Sequence, residues 1–192
     1  MKISLEWLAE YVEFLEEDPQ KISDAITAHT AEVDEVEVQG ALLDHCCVGK
    51  ILTLDKHPNA DKLQLCSVLT DKGEKPVVCG GANLRVGMKV AFAHIGATVK
   101  WHGEEELMTL EPIKIRGEQS EGMICAAEEL DIVAEFPECT GHDIVDMGDG
   151  DEDVGKPLKE VLGLSDVILH IDNHAITHRA DLFSHIGFAT EC

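Results

Sequence analysis

Residues 113–125, IKIRGEQSEGMIC, contain the pattern on which the fold assignment depends. Two isoleucines alternate with the basic residues Lys114 and Arg116, which is the period-two pattern of a half-buried strand. Gly117 ends the alternation, and a Gln-Ser-Glu-Gly turn leads back into apolar sequence. Because alternate side chains of a strand share one face, the sequence predicts that Lys114 and Arg116 point to the same side. That side is either ordinary solvated surface or a binding face for a polyanion.

The same period of two, interrupted by turn residues, extends over residues 45–125. The candidate strands are Val48–Leu54, Leu63–Leu69, Pro76–Cys79, Lys89–Phe92 and Leu107–Arg116. Short strands at this spacing are typical of a small β-barrel or sandwich. A barrel closes its own edges, which suits strands that are short and exposed.

The two ends of the sequence are mainly helical. Ser4 and Asp18 are predicted helix caps, with Pro19 at the first helical position, and a strand follows over Val33–Val38. Residues 126–155 are acidic and loop-like, with a short helix predicted at 126–132. A helix over Pro157–Leu162, a strand over 166–172 and a closing helix over 179–192 complete the chain. The sequence stops within that helix, so we expect it to be a piece of a longer protein.

Composition indicates a globular protein of the reducing cytoplasm. No apolar run approaches the roughly 20 residues that a membrane span requires, and the acidic residues near the start argue against a signal peptide. The seven cysteines show no repeated spacing, so they do not indicate a disulfide framework. We therefore expect reduced thiols.

The charges are distributed unevenly along the chain. The formal net charge is -23, which argues against nucleic-acid binding by the molecule as a whole. Residues 50–116, however, contain ten basic and eight acidic side chains, whereas residues 117–155 contain thirteen acidic side chains and no Lys or Arg. The central third is thus the only segment in which a basic face is expected.

Three motifs resemble known sites, but each departs from the required pattern. The sequence DGDEDVGKPLKE (149–160) has calcium-loop spacing except that Val154 replaces the glycine required at the sharp turn. His170, His174 and His178 are spaced by four, but the surrounding residues do not favour a continuous helix. VCGGAN (78–83) lacks the rest of a nucleotide-binding fingerprint. We therefore predict neither a metal site nor a catalytic residue.

Five stretches together resemble one protein family. They are MKISLEWLAEYV (1–12), HPNADKLQLCSV (57–68), VVCGGANLRVGMKVAFAHIGA (77–97), IKIRGEQSEGMIC (113–125) and THRADLFSHIGFA (177–189). In this order they resemble the amino-terminal part of bacterial phenylalanine–tRNA ligase β subunits. The central stretch alone also resembles the tRNA-binding OB module of other synthetases and of stand-alone proteins, but the two ends favour the β subunit.

The resemblance implies a fold and a function. The expected fold class is α+β/β: a small α+β domain formed by residues 1–39 plus 153–192, interrupted by a five-stranded OB-fold β-barrel over 40–152. The whole enzyme would attach phenylalanine to tRNA with ATP and magnesium, as an assembly of two α and two β chains. The synthetic site would lie on the α subunit, so this fragment would have no cofactor of its own, and neither a membrane nor DNA is an expected partner.

An OB barrel binds nucleic acid through cations and stacking aromatic residues on one sheet face and its loops. The candidate tRNA-binding residues are Lys62, Lys89, Lys100, Trp101, Lys114 and Arg116. Two alternatives remain at this point. The fragment could be an architectural module that contacts the α subunit without binding RNA, or a stand-alone OB-fold protein.

Overall fold

The computed structural model describes residues 1–15, 18–101 and 106–191. The chain divides into two compact units. The chain-end unit consists of Met1–Gln39 and Ser165–Cys192, and the barrel unit of Gly40–Leu164. None of the described helices is long and apolar enough to span a membrane.

The described α-helices lie towards the two ends of the chain, and most of the strands lie in its middle. In chain order they are β1 (Lys2–Ser4), α1 (Leu5–Leu8), α2 (Pro19–His29), β2 (Val33–Val38), β3 (Cys46–Lys56), β4 (Gln64–Thr70), β5 (Gly73–Cys79), β6 (Met88–Ala93), β7 (Thr98–Lys100), β8 (Leu107–Thr109), β9 (Ile113–Ile115), β10 (Glu118–Ser120), β11 (Met123–Ile124), β12 (Asp146–Asp149), α3 (Leu158–Leu162), β13 (Val167–Ile171) and α4 (His185–Ala189). Three short 3-10 turns lie wholly within the described residues, at Ala41–Leu43, His174–Ile176 and Ala180–Phe183.

The chain-end unit contains a three-stranded antiparallel sheet in the order β1-β13-β2. The helix caps are the predicted ones: the Ser4 side chain accepts a hydrogen bond from the Trp7 amide, and Asp18 accepts one from the Gln20 amide. The core of the unit combines residues from both ends of the chain, because Leu8 and Ile26 pack in one buried cluster with residues of β13 and α4.

Strand β3 organises the barrel unit. Its residues 46–50 pair with β6, and its residues 50–56 pair with β4, with a register irregularity between Ile51 and Thr53. A bulge of this kind bends a strand and increases its twist. One long strand can therefore pair with β6 over its first part and with β4 over its second.

The first part of β3 is buried on both faces. Cys46 and Val48 belong to one core cluster, whereas Cys47 and Ile51 belong to a second cluster inside the barrel. Strand β6 alternates between the same two clusters. Burial on both faces explains why these strands appear in the sequence as nearly continuous apolar runs.

The main sheet is a nearly closed antiparallel barrel of the OB type. Its strand order is β11-β6-β3-β4-β5, and β12 adds a sixth strand that also pairs with β6. The free edge of β5 meets the chain just before β11. There the Glu121 amide donates to the Pro76 carbonyl over 2.9 Å, and the Val78 amide donates to Ser120 Oγ over 3.2 Å. These bonds satisfy backbone groups that an open sheet would expose.

The second boundary of the barrel unit differs from the predicted position after residue 152. Residues up to Leu164 belong to the barrel unit. The Val48 amide donates to the Lys156 carbonyl, and Leu158 of α3 is fully buried against the cluster that contains Val48. The outer face of β3 needs this cover, so the chain returns to the chain-end unit only after α3.

Several local predictions are confirmed and others are corrected. The strands predicted over Val48–Leu54, Pro76–Cys79 and Lys89–Phe92 lie within β3, β5 and β6. The predicted single strand Leu107–Arg116 is wrong: it is two strands, β8 and β9, with Leu110 buried between them. The predicted closing helix is interrupted at Ser184, which is extended and caps α4 instead. Residues 127–131 form turns and not the predicted helix.

Gly122 allows the barrel to close, and its substitution tests this role. Its φ is +149°, and a Cβ at this position would lie 2.4 Å from Phe92 Cζ and 2.8 Å from the Ala93 carbonyl oxygen. We expect Gly122→Ala to lower the free energy of unfolding by more than about 2 kcal/mol, since unfavourable backbone geometry and overpacking add. Urea denaturation measures the change.

Gly117 provides the matched control. Its φ is also positive, at +102°, but an added Cβ would meet nothing within 4 Å. Gly117→Ala should therefore cost only about 1 kcal/mol, which is the backbone contribution alone. Equal losses in the two variants would show that the contact of Gly122 with β6 has no role in closure.

Candidate functional site

Acidic residues beyond position 117 neutralise many of the central cations. Arg85 forms ion pairs with Asp146 and with Asp149, the latter over 3.0 Å. Lys50 pairs with Asp151. The hydrogen bonds from Arg85 lower the pKa of Asp146, and those from Lys50 lower the pKa of Asp151, so both carboxylates are ionised at neutral pH. The basic character that the sequence shows for residues 50–116 is thus partly cancelled within the barrel unit.

These pairings also account for the motif that resembles a calcium loop. Asp149 and Asp151 are engaged as described, and Asp153 pairs with Lys156 over 2.7 Å. Each of the three aspartates that would supply calcium ligands therefore forms an ion pair with a cationic side chain.

The three histidines spaced by four do not form a metal site either. His170 Nε2 lies 2.7 Å from a Glu37 oxygen, and His174 Nδ1 lies 2.6 Å from an Asp172 oxygen. Within the described part of the chain, no group of three potential metal ligands includes His170, His174 or His178.

A set of cations in the barrel unit keeps its charge available. Five exposed side chains of this unit have no carboxylate within ion-pair distance among the described residues. One of them, Lys72, lies in the turn between β4 and β5. We call the other four the basic cluster: Lys56, Lys62, Lys114 and Arg116. Lys56 and Lys62 flank the loop between β3 and β4, and the other two belong to the hairpin of β9 and β10.

Hydrogen bonds fix this loop against this hairpin. The Asn59 amide donates to His57 Nδ1 over 3.0 Å, so the proton of the neutral ring is on Nε2. His57 Nε2 in turn donates to the Ile115 carbonyl over 3.2 Å. Asn59 Nδ2 donates to the Arg116 carbonyl, and Arg116 Nη1 donates to the Asn59 carbonyl. Although the two segments are more than 50 residues apart in the sequence, they form one surface.

The structure corrects the prediction that Lys114 and Arg116 share a strand face. Strand β9 ends at Ile115, and Arg116 has a φ of +49° at the first corner of a two-residue turn completed by Gly117. Positive φ at both corners is the signature of a type I′ hairpin turn, which matches the twist of the flanking strands. The strand alternation therefore does not extend to Arg116, whose position is set by the turn and by Asn59.

The other predicted site residues lie apart from the basic cluster or are already engaged. Lys89 lies on β6 and its Nζ donates to the Glu152 carbonyl over 3.3 Å. Lys100 ends β7 and pairs with Asp131 over 2.7 Å. Trp101 follows Lys100 and is 42% exposed, but residues 102–105, which would form the predicted loop tip, lie outside the described residues.

Lys56 was missed by the sequence prediction. The predicted strand ended at Leu54, whereas β3 continues to Lys56, which pairs in register with Gln64 of β4. The available signal was the position of Lys56 and Lys62 on either side of a His-Pro-Asn turn. A loop with a cation at each end presents both charges at the same end of a barrel.

The basic cluster borders an apolar cavity. The cavity has a volume of about 780 Å³, and β9 contributes Ile113 and Ile115 on either side of Lys114. Leu63, next to Lys62, and the Trp101 side chain also line it. Ile113 is 56% exposed. Charged and apolar groups are thus adjacent on this surface.

Comparisons with known proteins identify sequence relatives of this chain. The sequence profile of the family described as "Putative tRNA binding domain" matches residues 46–142. The phenylalanine–tRNA ligase beta subunit of Chlorobaculum tepidum is 41% identical over the whole of this chain, and that of Syntrophus aciditrophicus is 40% identical. This chain spans 22% of the length of each of these relatives, about a fifth.

Among solved structures, the Naegleria gruberi RNA ligase E312A mutant with AMP and Mn is similar with a TM-score of 0.41 and 15% identity, over 62% of this chain and 34% of that one. The sequence comparisons are stronger. The predicted resemblance to phenylalanine–tRNA ligase β subunits is confirmed along the full chain. Because the profile match covers half of its residues, the chain belongs to the family described as "Putative tRNA binding domain".

Proposed function

We propose that this chain is part of a phenylalanine–tRNA ligase β subunit and that its barrel unit binds tRNA through the basic cluster. The observation that carries the proposal is the set of four exposed cations without carboxylate partners, on two segments that are hydrogen-bonded to each other. The family profile and the β-subunit relatives support the same ligand.

Ion pairing decides which cations can contribute. A lysine that binds a phosphate releases counterions from the RNA, and this release provides much of the affinity. A lysine already paired with a carboxylate, such as Lys100 with Asp131, must first lose that partner. Lys56, Lys62 and Lys114 have no such competitor among the described residues, so they are the stronger candidates.

The affinity of the barrel unit for tRNA should be modest and should depend on the salt concentration. The same two segments also contain Asp55, Asp61 and Glu118, and the whole chain has a formal net charge of -23. Four cations beside three carboxylates attract phosphate only weakly. At 0.1 M salt, charges more than about 10 Å apart are largely screened from each other, so added salt weakens this attraction further.

The apolar cavity provides the second component of the proposed site. In OB folds the phosphate backbone follows cations while bases pack on apolar and aromatic side chains. Ile113 and Trp101 line the cavity that the basic cluster borders, so a base unstacked from a loop could enter it. Such contacts favour single-stranded or loop regions of tRNA over a regular duplex.

We also propose a finer description of the architecture and of the whole enzyme. The five strands β11, β6, β3, β4 and β5 would form the OB barrel, with β12 as an addition at β6, inserted into a discontinuous α+β domain formed by the chain ends. The complete cytoplasmic enzyme would attach phenylalanine to tRNA with ATP and magnesium, together with an α subunit. Its catalytic residues would lie outside these 192 residues.

A second function is favoured for the chain-end unit, namely protein contact. Several of its large apolar side chains are exposed, and exposed apolar patches are typical of protein–protein contact sites. They are Trp7, Tyr11, Leu15, Phe183 and Ile186, with exposures of 51%, 45%, 103%, 47% and 60%. This unit would be the architectural part, and the barrel unit the RNA-binding part.

Removing two charges from the basic cluster tests the main proposal. We expect Lys62→Gln with Lys114→Gln to weaken tRNA binding several-fold at low salt. The slope of log K against log[salt] should fall by about 2, because about one unit is lost for each phosphate-contacting lysine. Fluorescence anisotropy with labelled tRNA over a salt series measures both quantities.

The control variant removes the same number of charges elsewhere. Lys2 and Lys156 are exposed but ion-paired, with Glu37 and Asp153 respectively. Lys2→Gln with Lys156→Gln should leave the slope nearly unchanged, and both variants should keep the thermal transition of the parent chain. If the two variants lose affinity equally, binding responds only to net charge. If the parent chain does not bind tRNA at low salt, the architectural function applies to the whole chain.

A further inference from the structure

Three side chains with different metal-ligating atoms converge inside the barrel unit. They are Cys47, Asp71 and His94, and their donor atoms all lie within 4.8 Å of one another. His94 Nε2 is 3.4 Å from Cys47 Sγ and 2.6 Å from Asp71 Oδ1. In the described part of the chain this is the one group of at least three such ligands.

Three different parts of the fold hold the group in place. Cys47 is on β3, where it lies opposite Phe92 of β6, and His94 comes directly after β6. The His94 ring packs edge-on against Phe92 with ring centres 5.1 Å apart. Asp71 lies in the turn between β4 and β5, where the Thr70 hydroxyl donates to the Gly73 carbonyl and accepts from the Lys72 amide. A fixed backbone around each donor is the preorganisation that a metal site requires.

Both contacts of the His94 ring involve the same nitrogen. In a catalytic Cys-His-Asp arrangement, the thiol and the carboxylate bind opposite nitrogens of the imidazole so that the ring can transfer a proton between them. Here Cys47 and Asp71 both approach Nε2. A nucleophilic triad is therefore excluded, whereas a cation at the centre of the three atoms fits.

The distances are close to those of a tetrahedral zinc site. Zinc bonds of 2.0–2.3 Å at tetrahedral angles place a sulfur and a nitrogen ligand about 3.6 Å apart, and a nitrogen and an oxygen ligand about 3.3 Å apart. The Cys47–His94 distance already matches the first value. The Asp71–His94 distance would have to open by about 0.7 Å, and the Asp71 side chain, at 38% exposure, has space to move.

Two of the three groups already have the net charge that metal binding requires, a neutral imidazole and an ionised carboxylate. Burial lowers the pKa of His94 more than Asp71 raises it, so the imidazole is neutral at pH 7. Burial would raise the pKa of Asp71, but hydrogen bonds from His94 and Cys47 lower it overall, so the carboxylate is ionised. Burial raises the pKa of Cys47 to about 12, so this thiol loses its proton only when a cation replaces it.

Two lysines and one carboxylate lie near the three proposed ligands. Lys72 and Lys75 lie close enough to lower the pKa of His94, and they oppose a cation. Lys75 is partly offset by Glu121, at 3.4 Å. These residues line a cavity of about 230 Å³ that reaches His94 and can hold water. Cys46, the remaining titratable neighbour of Cys47, has a pKa raised to about 12 by burial and is therefore uncharged.

We propose that Cys47, Asp71 and His94 form a Zn²⁺ site that links the turn between β4 and β5 to strands β3 and β6. A thiolate, an imidazole and a carboxylate match the ligand preferences of zinc, and three protein ligands leave the fourth position for water. On binding, the proton that His94 Nε2 donates to Asp71 is replaced by one on Nδ1, so the ring stays neutral and the Nε2 lone pair faces the metal. The Cys47 S–H bond breaks, its proton passes to solvent, and the electron pair left on sulfur forms the bond to the metal. The thiolate and the carboxylate together balance the charge of the ion.

Cobalt and zinc titrations of the metal-free chain test the site. Co²⁺ reports the ligand directly, because a thiolate–cobalt bond gives an ultraviolet charge-transfer band that imidazole and carboxylate ligands lack. We expect one Co²⁺ per chain with this band, displacement of the cobalt by one equivalent of Zn²⁺, and a thermal midpoint that rises with zinc concentration. Absence of the band in the parent chain would overturn the proposal.

Three variants separate the site from non-specific binding by other histidines and carboxylates. Cys47→Ala should abolish the band, and Asp71→Asn, at a partly exposed position, should weaken zinc binding at least about tenfold without unfolding the chain. Cys66→Ala is the matched control, because Cys66 is another buried thiol of the same core, with its pKa raised to about 12. Unchanged zinc affinity in Asp71→Asn, or loss of the band in Cys66→Ala, would refute the assignment.

The pH dependence gives an independent prediction. Because one proton leaves Cys47 for each metal bound, while His94 stays neutral and Asp71 stays ionised, zinc affinity should rise about tenfold per pH unit around neutrality. Calorimetric titrations in buffers of different ionisation enthalpy count the protons released. A count near zero would mean that Cys47 is not a ligand.

Discussion

The pairing of strand β3 with two different neighbours is the constraint on which the structure depends. Its first part pairs with β6 and its second part with β4, so this single strand fixes three segments relative to one another. Val48 and Ile51 are fully buried, on opposite faces, and burying each such side chain contributes about 1.5–3 kcal/mol. Cys47 lies near the beginning of the strand and Lys56 at its end. Both proposed sites therefore depend on the same element.

Charge is organised by pairing within the fold and not by segments of the sequence. Several of the acidic residues after position 117 are paired with cations of the central segment, as Asp146 and Asp149 are with Arg85 and Asp151 is with Lys50. These ion pairs neutralise the charges of Arg85 and Lys50 but not those of the basic cluster. The basic cluster, where the loop after β3 meets the hairpin of β9 and β10, remains unpaired. A strongly acidic chain can thus have one localised surface that attracts phosphate.

The two sites differ in how the fold exposes them. The basic cluster lies on a loop and a hairpin turn, which are the parts of a scaffold that can change without disturbing the core. The Cys47–Asp71–His94 group combines two buried side chains with the partly exposed Asp71. The buried Cys47 thiol keeps its proton until a cation lowers the free-energy cost of removing it. Metal binding would restrain the turn between β4 and β5, whereas RNA binding would use the opposite end of β3. The exposed apolar residues of the chain-end unit, such as Trp7 and Phe183, provide a third and separate kind of surface.

The sequence by itself determined the strand-rich middle, the capped helices at Ser4 and Asp18, and the family, because these follow from periodicity, local capping and motifs that are continuous in the chain. It also placed Lys62, Lys114 and Arg116 among the candidates. It could not show that Arg116 occupies a turn corner, that β3 reaches Lys56, or that the barrel unit extends through α3. Only the tertiary structure decided which lysines are neutralised and which three side chains converge on His94. The physical reason is that both outcomes depend on contacts between residues 20 to more than 100 positions apart, and a local sequence pattern contains no information about such distances.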